Sequence, residues 1–271
     1  MTLMSHRDLL PYLCAVKSFR RFVPFGHVLV INDGTLTDED KAVLDHHLAN
    51  PEIIHVGAIP LGKLPDSLTW RRLACALDRA QREYVIQLDS DTLTMGDVPE
   101  VLQAVERNQC FTLNSNSKMG KSVFSMAAVS EKVRTYVAGT NHVQALAESR
   151  LDDIEGHETL RYTRGNAGFA GFAVRTCDRG LVERVSSELE GLLGRSKWHE
   201  WGGEMVGSNV AIANTPDPLV LPWPRYASWN PRTVPAEGSV FMHFIGTHRY
   251  EKGLYARQAR ALCASLAAQG L

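Results

Sequence analysis

The sequence predicts an α/β fold in one domain, with a mostly parallel sheet flanked by helices. Over residues 1–113, short apolar runs alternate with segments whose apolar residues recur at helical spacing. That alternation is typical of parallel strands joined by helices. The chain has 271 residues, of which 44% are hydrophobic, which is enough for one large core. Ligands of such folds bind beyond the carboxyl ends of the strands, so polar residues that follow strands are candidate site residues.

The first helix and the first long apolar run have clear boundaries. Ser5 can cap a helix that ends before Pro24, because proline cannot continue a helix. Apolar residues recur along it at Leu9, Leu13, Val16 and Phe19. The run 27–31 is continuously apolar and stops at Asn-Asp-Gly, residues 32–34, so it predicts a buried strand. Only residues 2–4 are left to form a strand before the helix.

Strand and helix then alternate. Thr37 can cap a second helix, residues 53–56 form the next strand, and Ser67 can cap a third helix. Apolar residues recur along the third helix at Trp70, Leu73, Leu77 and Ala80. The continuously apolar part of residues 84–88 predicts the strand that follows.

The remainder of the chain is less regular. Pro99 opens a fourth helix at a position where its missing N–H costs nothing, and residues 110–113 form a fourth strand. Further helices are expected near residues 124–148, 178–193, 203–213 and from 251, and further strands near 167–175 and 239–244.

Composition excludes several classes of function. The chain has 29 Lys and Arg, 30 Asp and Glu, and a net charge of -1, so it lacks a global basic field for nucleic acid or an anionic membrane. Its five cysteines are odd in number and lack metal-ligand spacing, which favours reduced thiols and a cytoplasmic protein. The sequence predicts no transmembrane segment and no secretory signal. These patterns do not predict the oligomeric state.

Two carboxylates stand at the end of the predicted strand 84–88, at Asp89 and Asp91. Another Asp-x-Asp, residues 38–40, follows the cap Thr37 and is explained by the preference of the first helical turn for carboxylates. At the end of a buried strand, two nearby carboxylates repel each other, and burying them is costly without a cation. Asp89 and Asp91 are therefore predicted to bind a metal ion rather than to lie in a solvated loop.

The predicted strand near 239–244 carries His243, and Gly246 and Arg249 follow it at intervals of three residues. Taken alone, this histidine would be interpreted as a hydrogen-bonded core residue. Together with Asp89 and Asp91, its imidazole makes an incomplete ligand set that suits Mn²⁺ or Mg²⁺ and leaves positions for phosphate oxygens. A closed zinc site would need more nitrogen or sulfur ligands.

These motifs resemble those of the nucleotide-sugar glycosyltransferases of the GT-A fold, a Rossmann-like fold, and most closely glycosyltransferase family 8 and its relatives. The family's aspartate motif is similar to residues 89–91. Its C-terminal His, Gly and Lys, with two residues between each, are similar to His243, Gly246 and Arg249, with arginine where lysine is usual.

Further segments extend the resemblance over about residues 27–255. The family's aromatic-x-Arg-Leu helix is similar to residues 70–73, and its Asn-x-Gly strand start is similar to residues 166–168. An acidic residue five positions before an asparagine, near the reacting sugar in the family, is similar to Glu204 and Asn209.

The resemblance implies a metal-dependent glycosyltransferase of the hexosyltransferase type. It would transfer a sugar, with retention of configuration, from a nucleotide-sugar donor, by resemblance a UDP-sugar, using Mn²⁺ or Mg²⁺. The acceptor would be a saccharide, a lipid-linked molecule or another small molecule, and a lipid-linked acceptor would place the cytoplasmic protein at a membrane surface. Within the single domain 1–271, residues 1–113 would form the nucleotide-binding half and residues 114–271 the acceptor-side half.

The resemblance also implies roles for the residues of the two end motifs. Asp89, Asp91 and His243 would hold the metal ion, and Asp89 would also reach the ribose. Arg249 would pair with the β-phosphate as a two-pronged donor and so assist catalysis. Gly246 would lie against the bound nucleotide.

Roles for five other residues carry alternatives. Arg72 would hold the donor sugar or a phosphate, or Arg71 would do so instead, because neighbours on a helix lie about 100° apart and only one can face the site. Glu204 would orient the acceptor hydroxyl or stabilise the reacting sugar, unless it is a solvated glutamate at a helix start. Asn166 belongs with the catalytic candidates. Asp33 would contact the base, although turn chemistry explains it equally well.

The sequence departs from the family pattern at three places. Family members begin with a strand that holds the base, and only residues 2–4 could supply it here. The family's glutamine beside the acidic residue is Met205, and its Pro-Trp after the basic residue is Tyr-Glu at 250–251.

Four other functions fit part of the sequence. A non-catalytic nucleotide-sugar binding protein would use the same donor contacts. Residues 115–122 end in Gly-Lys-Ser like the phosphate-binding loop of an NTPase, but Ser115 replaces the glycine that such a loop needs. A haloacid-type phosphatase would have Thr or Val where Leu93 stands, and a sugar nucleotidyltransferase would need an N-terminal glycine-rich loop that the sequence lacks.

Overall fold

The strands near the N-terminus form a parallel sheet. The computed structural model describes residues 1–115, 122–232, 234, 237–246 and 248–268. Its strands are β1 (Thr2–Met4), β2 (Leu29–Asn32), β3 (Glu52–His55), β4 (Val85–Leu88), β5 (Thr92–Thr94), β6 (Phe111–Asn114), β7 (Val123–Ser125), β8 (Arg161–Thr163), β9 (Gly165–Phe172), β10 (Leu219–Val220), β11 (Tyr226–Ser228) and β12 (Phe241–His243). β2 lies between β1 and β3, and both pairs are parallel.

Backbone hydrogen bonds of Met1 join this sheet to β4. The Met1 amine donates to the carbonyl of Ile86 (2.8 Å), and the N–H of Leu88 donates to the carbonyl of Met1 (3.0 Å). This is the bonding pattern of parallel strands. The sheet therefore continues in the order β3-β2-β1-β4-β9-β6-β10, and residues 2–4 do form the N-terminal strand.

β9 interrupts the parallel arrangement. It pairs antiparallel with both β4 and β6, so these two strands run in the same direction. The expected parallel direction thus holds for β1 to β4 and for β6, but β9, a strand of the second half, is inserted between β4 and β6. Small residues make room for it: a Cβ at Gly171 would lie 2.3 Å from the ring of Phe111, and a Cβ at Gly165 would lie 2.0 Å from the hydroxyl of Thr112.

Helices cover both faces of the sheet. They are α1 (Leu9–Arg20), α2 (Asp38–Leu48), α3 (Leu68–Arg79), α4 (Pro99–Glu106), α5 (Met126–Arg134), α6 (Val143–Glu148), α7 (Arg179–Leu193), α8 (Arg195–Trp198), α9 (Gly203–Ala213) and α10 (Leu254–Ala268). Successive residues of a strand point to opposite faces: Val30 belongs to the buried cluster that includes α1, α2 and α4, and Ile31 to the one that includes α3, α7 and α9. Among the residues described, no helix has the length and hydropathy needed to cross a membrane.

The predicted helix caps are present. Thr37 accepts a hydrogen bond from the N–H of Asp40 (3.1 Å), and the N–H of Thr37 donates to the Oδ2 of Asp40 (2.8 Å). Ser67 accepts one from the N–H of Trp70 (3.4 Å). Two predicted extents are wrong. The helix expected near 124–148 is divided into α5 and α6, because the Gly-Thr-Asn sequence at 139–141 is unfavourable in a helix. The C-terminal helix begins at residue 254, after a 3-10 turn.

A glycine lets α9 pack closely against α3. A Cβ at Gly207 would lie 2.9 Å from the ring of Trp70 and 3.1 Å from the side chain of Leu73. The same approach places Glu204, at the start of α9, 3.9 Å from Arg72 on α3. The packing of two helices therefore determines the distance between two candidate site residues.

Gly207→Ala is expected to destabilise the fold, because the added methyl must displace Trp70 and overpacking a core costs about 1–3 kcal/mol. Gly191→Ala is the matched control. Gly191 lies on the exposed side of α7, and a Cβ there would meet no described heavy atom within 4 Å. Urea unfolding should show that the control gains about 0.5–1 kcal/mol, the helix preference of alanine over glycine. An equal gain in Gly207→Ala would contradict the close packing.

Candidate active site

The pairing of two short strands brings distant residues together. Asp89 follows β4 and Asp91 precedes β5, which pairs antiparallel with β12 so that Thr92 lies opposite His243. The N–H of Phe244 donates to the carbonyl of Asp91 (2.7 Å). As a result, Asp91 and His243 are neighbours at the carboxyl end of β4, although they are far apart in sequence.

Asp89, Asp91 and His243 form one cluster of possible metal ligands. One ligand atom from each lies within 4.8 Å of the other two, and the Nε2 of His243 is 3.0 Å from the Oδ1 of Asp91. Asp91 is 7% exposed and His243 is 4% exposed, so both are shielded from water. Two carboxylates and one imidazole fit Mn²⁺ or Mg²⁺, and a cation would offset the repulsion between the carboxylates.

Two arginines pair with the carboxylates. Arg249 Nη2 donates to the Oδ2 of Asp91 (2.6 Å), and Arg72 Nη1 donates to the Oδ1 of Asp89. Burial raises the pKa of Asp91, but His243 and Arg249 outweigh burial and lower this pKa to about 2. Burial also raises the pKa of Asp89, and Arg72 only partly offsets that effect. Asp91 is therefore an anion at neutral pH.

The imidazole of His243 is packed against backbone. A Cβ at Gly168 would lie 2.2 Å from its Cε1 and 2.4 Å from its Nδ1, so only glycine leaves room for the ring. The Nδ1 is buried and has no hydrogen-bond partner within the described part of the chain. Burial lowers the pKa of His243, but the Asp91 carboxylate outweighs burial and raises it. Nε2 is the ring nitrogen that faces the carboxylates and is positioned to bind an ion.

The two neighbouring arginines of α3 have different partners. Arg72 is 7% exposed and lies between Asp89 and Glu204, whose Oε1 is 3.9 Å from its Nη2. Arg71 instead bonds Asp66 through Nε (3.1 Å) and Nη2 (2.8 Å), and a backbone carbonyl of the preceding loop through Nη1 (2.9 Å). Of the two, Arg72 is the one that the structure brings to the cluster.

Glu204 begins α9 in the protein interior. It is 3% exposed, and its Oε2 accepts a hydrogen bond from the N–H of Gly202 (3.2 Å). Burial raises the pKa of Glu204, and the charge of Arg72 partly offsets this effect. The alternative of a solvated glutamate is wrong, because the approach of α9 to α3 covers this side chain.

Asn166 is fixed between two strands. Its Nδ2 donates to the Oγ of Ser228 (3.2 Å), and its Oδ1 accepts the N–H of Gly168 (2.8 Å). Ser228 lies opposite His243 in the pairing of β11 with β12. Asn166 therefore reaches the strand beside His243.

Asp33 follows β2, and Gly246 follows β12. The Oδ1 of Asp33 accepts the N–H (2.9 Å) and the hydroxyl (2.7 Å) of Thr35, as in a turn. The N–H of Asp33 donates to the carbonyl of Met4 (3.2 Å), so Asp33 lies where β1 and β2 end. Gly246 is exposed, and a Cβ there would meet no described heavy atom within 4 Å.

Residues 116–121, the centre of the loop similar to a phosphate-binding loop, lie outside the described residues.

Asp8 lies beside the site, although no motif in the sequence indicated it. It accepts hydrogen bonds from the hydroxyl of Ser90 (3.2 Å) and from the N–H (2.9 Å) and hydroxyl (2.7 Å) of Ser5. The Ser-x-x-Asp spacing of residues 5–8 is a capping pattern and therefore a signal for the helix start, but not for the contact with Ser90. Asp8 ties the start of the first helix to the residue between the two site aspartates.

A buried carboxylate that supports β9 was also missed. Glu148 is 0% exposed and accepts hydrogen bonds from the hydroxyl of Tyr162 (3.0 Å) and the amide of Gln144 (2.9 Å), with Arg164 Nε 3.1 Å away. Asn209 donates to the same hydroxyl (3.3 Å) and bonds both backbone groups of the first residue of β9. Gln144 lies one turn before Glu148 on α6, but Tyr162, Arg164 and Asn209 lie on other segments, so no spacing in the sequence indicates their contact with Glu148.

Gly168→Ala is expected to displace the His243 imidazole and to destabilise the protein by about 1–3 kcal/mol, because the new methyl overlaps the ring. His243→Ala makes space, so the double variant should lose less stability than the sum of the single losses. Gly246→Ala is the control and should stay within about 0.5 kcal/mol of wild type. Urea unfolding measures all four proteins, and strictly additive losses would show that this contact does not form.

Comparison with known proteins bears on the fold. No family model and no curated protein sequence matches the chain. Among solved structures, the galactosyltransferase LgtC in complex with donor and acceptor sugar analogues is similar, with a TM-score of 0.57 and 14% identity over 97% of this chain and 94% of that chain. Mouse xyloside xylosyltransferase 1 in its apo form is similar as well, with a TM-score of 0.54 and 13% identity over 91% of this chain and 97% of that chain.

At these identities the likeness shows the fold alone. Membership of glycosyltransferase family 8 stays a prediction from the motifs. The expected fold class is confirmed: the chain has the mixed α/β fold of GT-A glycosyltransferases.

Proposed function

We propose that the protein is a metal-dependent glycosyltransferase that uses a nucleotide-sugar donor. The observation that carries the proposal is the cluster of Asp89, Asp91 and His243, with ligand atoms within 4.8 Å of one another, at the carboxyl end of a strand where such folds bind ligands. A UDP-sugar donor and retention of configuration follow from the resemblance to glycosyltransferase family 8. The acceptor is a saccharide, a lipid-linked molecule or another small molecule, and the free cysteines support a cytoplasmic location.

A bound metal ion and an arginine side chain would stabilise the departing nucleotide. When bound, Mn²⁺ or Mg²⁺ supplies positive charge to the diphosphate. Asp91 and His243 would hold the ion, and Asp89 would share it and reach the ribose. Arg249 lies beside Asp91 and offers the β-phosphate two parallel N–H donors. Positive charge placed where negative charge develops is the main catalytic effect of such a site.

Arg72 and Glu204 would act on the sugars. Arg72 holds the donor sugar or a phosphate, and its buried pairing with Asp89 keeps the guanidinium in place. Glu204, 3.9 Å from Arg72, orients the acceptor hydroxyl or stabilises positive charge on the reacting sugar. Asn166 is the third polar group of this region.

The domain would divide its tasks between two parts of the chain. Residues 1–113 form the nucleotide-binding half, in which Asp33 contacts the base at the ends of β1 and β2. Residues 114–271 form the acceptor-side half, and Gly246 lets the backbone approach the nucleotide.

Asp91→Ala and His243→Ala are each expected to abolish Mn²⁺-dependent binding of UDP, with circular dichroism close to that of wild type. Thermal shift measures binding, because a bound ligand raises the melting temperature by mass action. A panel of UDP- and GDP-linked sugars with and without Mn²⁺ tests the class of enzyme and the donor together. Asp38→Ala, at the exposed first residue of the Asp-x-Asp of α2, is the control. A Mn²⁺-dependent shift of wild-type size in both site variants would remove the metal assignment.

Arg72→Gln is expected to lower the rate of nucleotide release from the donor about 10- to 100-fold, because a charged hydrogen-bond donor is lost. Arg71→Gln is the matched control on the same helix and should stay within about threefold of wild type. Donor turnover in the presence of an acceptor panel is the measurement. Equal losses in both variants would contradict the role of Arg72.

A second candidate function is a nucleotide-sugar binding protein, which Met205 favours because the family has glutamine there. The same turnover assay separates the two functions. Donor binding with Mn²⁺ but no nucleotide release with any acceptor, or with water, would favour the binding protein.

A further inference from the structure

The charges of Asp89 and Asp91 are balanced by the protein's own side chains. Arg249 occupies the Oδ2 of Asp91 at 2.6 Å, and His243 lies 3.0 Å from the Oδ1 of the same residue. Arg72 occupies the Oδ1 of Asp89. Two guanidinium groups therefore face two carboxylates. A divalent cation that enters alone must share Asp91 with Arg249.

The electrostatic cost of binding a metal ion therefore differs between an ion that enters alone and one that enters with a diphosphate. Like charges a few ångströms apart in a partly buried site repel strongly enough to change an affinity by about tenfold or more. Alone, the ion adds positive charge beside a guanidinium that, among the described carboxylates, pairs with the shared Asp91 alone. A diphosphate brings negative oxygens that compensate the ion and the guanidinium together.

Arg249 is the arginine whose surroundings allow it to change partners. Its side chain is 21% exposed, whereas that of Arg72 is 9% exposed and is held on α3 between two carboxylates. Besides Asp91, Arg249 contacts the carbonyl of Phe244 (3.4 Å) and the ring of Tyr250 (5.9 Å from the centroid). Tyr250 is itself 70% exposed. Arg249 is therefore less enclosed than Arg72, and its guanidinium lies nearer to solvent.

We propose that Arg249 makes metal binding depend on the nucleotide. In the absence of nucleotide, its guanidinium is the resident cation of Asp91 and weakens the binding of Mn²⁺. When a diphosphate enters with the ion, the same guanidinium turns to the phosphate and strengthens the binding of both. This inference rests on the proposed function. It assigns Arg249 two effects of opposite sign, whereas a simple phosphate ligand would have one.

The test compares Mn²⁺ binding in wild type, Arg249→Gln and Arg249→Lys, with and without UDP, and with GDP in parallel. The electron paramagnetic resonance signal of free Mn²⁺ reports binding without any need for turnover. Arg249→Gln should bind Mn²⁺ alone about tenfold more tightly than wild type, because a repelling charge is removed. It should bind Mn²⁺ with the diphosphate about tenfold more weakly, because a charge-assisted hydrogen bond is lost. Arg249→Lys keeps the charge and should bind Mn²⁺ alone as wild type does.

Arg260→Gln is the matched control, since it makes the same charge change at an exposed position of α10 and should match wild type in both measurements. If Arg249→Gln binds Mn²⁺ alone no more tightly than wild type, while wild type still shows Mn²⁺-dependent diphosphate binding, the inference is overturned and the proposed function stands. Tighter binding of Mn²⁺ alone by the Gln and Lys variants alike would also overturn it, because charge would not be the cause. Wild type that binds neither diphosphate with Mn²⁺ would remove the proposed function and the inference together.

Discussion

The placement of two carboxylates side by side, Asp91 buried and Asp89 partly buried, is the constraint on which the candidate site depends. Asp89 and Asp91 follow a central strand, where their mutual repulsion is poorly screened by water. Their compensation comes from three places: Arg72 on α3, His243 on β12, and Arg249 in the segment after β12. Each of these elements must be in place before the carboxylates can be buried at acceptable cost. The site and the packing around it therefore form together.

Three glycines make this convergence possible, because glycine has no side chain. Gly168 leaves space for the imidazole of His243, Gly171 for the ring of Phe111, and Gly207 for Trp70. Two of these glycines lie on β9 and one on α9, the elements of the second half that press against the first. Because a large side chain from another element fills each gap, the close approach leaves no cavity.

The two arginines differ in a way that matters for function. Arg72 is buried on a helix between Asp89 and Glu204, so its position is determined by the core. Arg249 lies on a partly exposed segment and pairs only with Asp91 among the carboxylates of the described chain. A fixed guanidinium suits the orientation of a sugar or phosphate, whereas one that can change partners suits a site that must accept and release a charged nucleotide.

The sequence alone determined the strands of the first half except β5, and the helix caps at Thr37 and Ser67, because periodicity, caps and turn residues are local properties. It also singled out Asp89 and Asp91, since carboxylates after a buried strand are unusual. The helical spacing of Arg71 and Arg72 predicted that they face different directions, but it did not predict which of them meets Asp89. Only the tertiary structure decided that choice, the insertion of β9 and the burial of Glu204. The meeting of the aspartates with the distant imidazole was expected from the motifs, but the pairing of β5 with β12 that produces it was not. These features depend on which strands pair and how closely helices approach, and those contacts join segments whose separation along the chain carries no local signal.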